Sequence, residues 1–108
     1  MAGTFTRANL ANIQLANSKG DVYSPSSVTG LIHNILLHNT NSTTETVELL
    51  YDDGSNEYQI YKKDLAANET LQLDYPNEGL VVPDAAKITG NTTTASKVTC
   101  LISGSTEA

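Results

Sequence analysis

The chain has 108 residues, a formal net charge of −6 and one cysteine, which suits one domain with a modest core and excludes an intrachain disulfide or a Cys-based metal cage. Six Lys and Arg residues stand against twelve Asp and Glu, so the clustered positive charge that grips nucleic-acid phosphates is missing. No stretch approaches the roughly 18 apolar residues of a bilayer span, and residues 1–6 lack the basic-then-apolar pattern of a secretory leader; a soluble protein made in a cytoplasm is expected.

In chain order, residues 1–9 hold one bulky apolar group, Phe5, and one cation, Arg7, too little to bury, and read as an extended arm. Leu10, Ile13 and Leu15 suit a first strand, Ser18-Lys19-Gly20 a turn, and Val22-Tyr23 a short strand before Pro25. The run VTGLIHNILLHN over 28–39 is apolar on both of its interleaved sets, the pattern of a central strand covered on both faces. Val47, Leu49 and Tyr51 then alternate with polar neighbours, Asp53-Gly54 supplies a tight turn, and Tyr58, Ile60 and Tyr61 begin the return of an antiparallel hairpin. Leu71, Leu73 and Tyr75 alternate up to Pro76, and the run 79–82 stops at Pro83, because proline cannot donate to a ladder. Ala86 and Ile88 lead to Gly90, and Val98, Cys100 and Ile102 oppose Thr99, Leu101 and Ser103 in the last strand. No segment sustains the i, i+3, i+4, i+7 spacing of an amphipathic helix. The pattern predicts an all-β antiparallel sandwich of seven or eight strands, jelly-roll or immunoglobulin-like, over 10–104, with the arm at 1–9 and a tail at 105–108.

Ten of the twelve acids fall between Glu45 and Asp84, Asp21 and Glu107 being the others, so the two ends of the chain differ electrically. Candidate chemistry is thin. His33 and His38 are five apart in one strand, which aims them at opposite faces and denies them a shared metal. Asp52-Asp53-Gly54 with Asn56 and Glu57 does not follow the twelve-residue calcium loop. Cys100 alternates with Val98 and Ile102, the place of a buried, inert thiol. The triplets at Asn41, Asn68 and Asn91 read as turns, and Tyr51, Tyr58, Tyr61 and Tyr75 as caps on the core, with a sugar-stacking platform as the other reading. No phosphate loop or nucleophile elbow occurs. The expectation is no enzyme, with no catalytic, cofactor-binding or metal-ligating residues and no cofactor.

Taken together, Ile13-Gln14-Leu15, Val22-Tyr23-Ser24-Pro25, the long strand over 30–40, LAANETL at 65–71, GLVVPDAAKITG at 79–90 and the closing strand 98–104 resemble the small β-sandwich virion proteins of tailed bacteriophages, over roughly residues 10–104. Asp84 departs from the pattern within one turn. The resemblance implies a structural protein of the virion, assembled in the bacterial host cytoplasm. A capsid decoration or cement protein stabilising the shell comes first; a neck, tail or fibre component, or a receptor- or glycan-binding module, is the alternative. Implied partners are further copies of the chain, with a trimer favoured, and the major capsid protein or another virion protein, with neither nucleic acid nor membrane. Leu50, Leu101 and one set of 31–37 also exceed what one small core needs. Attachment is expected through the arm, with Phe5 filling an apolar pocket and Arg7 meeting an acid, and through Leu10, Ile13 and Leu15 on a strand that pairs with a neighbour's sheet edge.

Overall fold

A computed structural model of the chain describes residues 5–77 and 79–108. Its strands are β1 (Phe5–Gln14), β2 (Gly20–Tyr23), β3 (Thr29–Asn39), β4 (Glu45–Asp52), β5 (Glu57–Leu65), β6 (Thr70–Asp74), β7 (Leu80–Val82), β8 (Lys87–Thr92) and β9 (Val98–Glu107), with no helix among the described residues. They form two antiparallel sheets, the first ordered β1-β9-β3-β6 with β7 also paired to β3, the second β2-β8-β4-β5. These are the orders of one long antiparallel ribbon rolled on itself. The β4–β5 hairpin is its tip, followed by β3 with β6 and β7, then β2 with β8, then β1 with β9. Successive pairs fall in alternate sheets, and β9 against β3 and β8 against β4 complete them. The sandwich is therefore of the jelly-roll kind and not the immunoglobulin-like one.

The limits expected at 9/10 and 104/105 fall inside strands. Residues 5–9 pair with 103–107 of the same chain, and 29–32 of β3 lie along the other side of β9 there. A backbone ladder needs no apolar side chains, so Thr6, Ala8 and Asn9 opposite Thr106, Gly104 and Ser103 are invisible to a search for hydrophobic alternation.

The core is drawn from both sheets: Ile32, Ile35 and Leu37 of β3, Val98, Cys100 and Ile102 of β9, Val47 and Leu49 of β4 and Ile88 of β8 are all fully buried. Ile32 and Ile35 are three apart, an odd spacing that would put them on opposite faces of a regular strand. A bulge at His33 restores their common face, since Ile32 pairs with Gly104 and Asn34 with Ser103. At the same level on the far side of β9, Leu10 is the extra residue of a bulge in β1, between Asn9 opposite Ser103 and Ala11 opposite Ile102. The expected covering of the 28–39 strand on both faces is not found; its second apolar set, including Leu31 and Leu36, lies half-buried on the outer surface. Between the bulges a Cβ at Gly104 would run into the Leu31 carbonyl oxygen. Backbone against backbone has no flexible side chain to yield, so Gly104→Ala is expected to destabilise the fold by about 3 kcal/mol, read as a lower urea midpoint at unchanged slope.

The open end of the roll is fastened by buried polar groups. Asn39, fully buried, donates its amide to the carbonyls of Thr43 (2.9 Å) and Leu65 (3.0 Å) and accepts from the Asn41 backbone (2.8 Å). Glu45, 1% exposed, accepts from the Thr94 backbone (2.7 Å), the Asn41 amide (2.8 Å) and the Thr92 hydroxyl (3.0 Å). Burial pushes this carboxyl up, but the bonds from Asn41, Thr94 and Thr92 outweigh it and hold the group below its ordinary 4.5. A depressed carboxyl contributes stability that is present above its unfolded pKa and lost as pH falls through the folded one. Glu45→Gln is therefore expected to cost about 2 kcal/mol at neutral pH. Its gap from the wild type should narrow as the pH is lowered below about 4.5, followed by thermal melts across the acid range.

Candidate assembly surface

The two outer faces of the sandwich differ in charge. On the second sheet, Glu48 stands opposite Lys62, Thr46 opposite Asp64, Asp52 between Glu57 and Lys87, and Asp21 opposite Thr89. These groups are tied to one another: Lys87 Nζ meets Asp21 at 3.0 Å and Lys19 Nζ meets Glu57 at 2.6 Å, while Glu48 accepts from Gln59 (2.7 Å) and Asn91 (3.1 Å). The amide bonds from Gln59 and Asn91 hold the Glu48 carboxyl below its ordinary value, and Asp21 raises the Lys87 ammonium. Charged groups thus surround the centre of this face, where half-buried Leu50 stands opposite buried Thr89.

On the first sheet the register lays out four rows across the strands. Gln14, Thr99, His38 and Thr70 form one; Asn12, Leu101, Leu36 and Gln72 the next; Asn9, Ser103, Asn34 and Asp74 the third; Arg7, Ser105, Leu31 and Val81 the last. Within these rows only Arg7 and Asp74 are formally charged, on opposite edges in adjacent rows, and Glu107 continues the face beyond Ser105 on β9; hydrogen bonds from Gln72 and Asn34 keep Asp74 below the usual carboxylate range. The rest is amide, hydroxyl and imidazole around an apolar stripe, in which Val81 is 43% and Leu101 36% exposed. Over the paired bulges the face dips into a groove of ≈ 990 Å³ bordered by Arg7, Asn9, Leu31, His33, Ser103 and Ser105, with no acid among its described lining residues. His33 Nε2 lies 3.4 Å from Ser105 Oγ.

The residues expected to attach the chain divide. Arg7 is exposed on this face and borders the groove. Phe5 pairs with Glu107 through its backbone, and its side chain lies outside the described residues. Leu10 and Ile13 pack against the core, and Leu15 is 1% exposed within it. These three serve the chain's own interior, because the bulge at Leu10 keeps Ala11, Ile13 and Leu15 aimed inward. The partly exposed apolar groups of this face are instead Leu31, Leu36, Leu101 and Val81, and the surplus of apolar groups in 31–37 and at Leu101 is the sequence signal for them. The bulge also overturns the expected separation of the histidines: His33 borders the groove and His38 shares that outer face, bonded through Nδ1 to Thr70 Oγ1 at 2.6 Å.

Cys100 is buried in the core and burial pushes its thiol up to about 12, so it is unreactive at neutral pH. Tyr51 donates its hydroxyl to the Val81 carbonyl at 2.9 Å, tying the sheets together, while Tyr61 and Tyr75 pack against the core. Neither a protein-family model nor a curated protein matches the sequence.

Proposed function

We propose that the chain is a non-enzymatic structural subunit that lies with the outer face of its first sheet against a larger assembly and turns its charged second sheet to water. The uneven distribution of charge carries this reading. Burying the second sheet would strip water from Asp21, Glu48, Asp52, Asp64, Lys62 and Lys87, at several kcal/mol for each charge left imperfectly paired. The first sheet offers an apolar stripe among neutral groups whose hydrogen bonds a partner can replace.

Jelly-roll sandwiches serve as viral capsid and lectin domains alike, and fold does not fix function. The sequence resemblance to tailed-phage virion proteins supplies the setting: a capsid decoration or cement protein held on the major capsid protein, with self-association, as a trimer on that resemblance, multiplying weak contacts into retention. A neck, tail or fibre position would use the same face at a lower copy number.

Two variants test the face. Leu101→Glu places a charge on the stripe, and Leu50→Glu places the same charge on the outer face of the second sheet. When each is mixed with particles stripped of the protein and sedimented, Leu101→Glu is expected to lose retention by at least about tenfold, or about 1.4 kcal/mol, at an unchanged melting temperature, while Leu50→Glu is retained. The reverse pattern would contradict docking through the first sheet.

A further inference from the structure

Resting on the reading of the chain as an assembly subunit, we infer that β1 joins two copies edge to edge, its free backbone groups pairing antiparallel with β1 of a second copy. Open sheet edges present unpaired N–H and C=O groups, and proteins guard them with short strands, charges, prolines or bulges. Among the edges here, β2 has four residues, β6 five and β7 three. The nine-residue β5 carries Glu57, Lys62, Lys63 and Asp64 and is broken by a bulge between its pairings with Leu49 and Leu50. β1 is the exception. It runs for ten residues with Arg7 as its one charge and no proline, guarded by the bulge at Leu10 alone.

A second copy is the occupant that the charges favour. Each chain carries −6, and contact through β5 would bring two acid-rich second sheets together. Pairing through β1 keeps them apart, since β1 is an edge strand of the first sheet. Identical strands in antiparallel register set unlike positions opposite each other, so only a register centred on Arg7 itself would face the two guanidinium groups. Asn9, Asn12 and Gln14, on the outer face of β1, offer amides that hydrogen-bond to one another in either direction wherever the register sets two of them opposite. The product is a continuous sheet of four ladder strands from each copy, in the order β6-β3-β9-β1 and its two-fold mate. Its outer face is the docking face doubled. The contact is two-fold whatever symmetry the particle imposes elsewhere.

Cysteine trapping reads this directly, because Cys100 is sealed in the core. Single cysteines at Asn9, Asn12 and Gln14 on β1, oxidised mildly alone and in pairwise mixtures, are expected to give a covalent dimer for the pair that the register sets opposite, whereas Gln59→Cys on β5 stays monomeric; matched melting temperatures confirm that all are folded. In sedimentation the wild type is expected to form two-fold pairs, alone or within a larger oligomer of even copy number, and the Asn9→Lys/Asn12→Lys double variant weakens that pairing at least tenfold. Cross-linking through Gln59→Cys instead, an oligomer whose β1 cysteines do not cross-link, or a strict monomer would each overturn edge pairing. None of these outcomes removes the docking face, on which the Leu101→Glu and Leu50→Glu pair reports independently.

Discussion

Hydrogen bonding of β9 between β1 and β3 closes the first sheet, and both of its surfaces are built on that one strand. Val98, Cys100 and Ile102 give the core its middle, while Thr99, Leu101, Ser103 and Ser105 give the outer face its middle. The partners of β9 come from the beginning of the chain, so the sheet cannot close until the two ends meet. Ribbon pairing of this non-local kind makes folding slow compared with a helical domain of equal length. Glu45 and Asn39 secure the neighbouring crossovers, binding the turn after β3 to Leu65 and Thr94. A buried carboxylate in that position is stable because each of its donors is supplied by the rolled ribbon itself.

Bulges at Leu10 and His33 flank β9 at one level, and their joint effect links fold to surface. Each keeps its strand's core residues aimed inward past an odd spacing. Together they bend the sheet where Gly104 leaves no side chain in the way, and the outer face dips there. Leu31, Leu36, Leu101 and Val81 are only partly exposed to begin with, so at about 25 cal/mol for each Å² removed from water one subunit gains a few kcal/mol at most. A contact of that size is transient alone and durable when many copies engage at once. Edge pairing through β1 and docking through the sheet face would thus be complementary uses of one sheet.

Much of the fold was legible because period-two alternation survives wherever one face is dry, as in Val47-Leu49-Tyr51 and Val98-Cys100-Ile102. Proline and Asp-Gly punctuation located the ends. What escaped were features that alternation does not encode. The outer halves of β1 and β9 pair through backbone with small polar side chains, so 1–9 and 105–108 looked like an arm and a tail. Bulges shift parity without a sequence signature, which hid the common face of His33 and His38 and turned Leu10, Ile13 and Leu15 into interior residues. The surface was half legible: the excess of leucine over what one core needs was evident, but that Leu31, Leu36 and Leu101 share one face while Leu50 lies on the other depends on the rolled topology.

Hydroxyl-radical footprinting of the protein, free and then bound to particles, measures the orientation of the sandwich residue by residue. Docking through the first sheet predicts protection of Leu31, Leu36, His38, Val81 and Leu101, with Leu50, Lys62 and Tyr58 labelled equally in both states. Protection of Leu50 and Lys62 with Leu101 still labelled would place the charged sheet against the particle and contradict it.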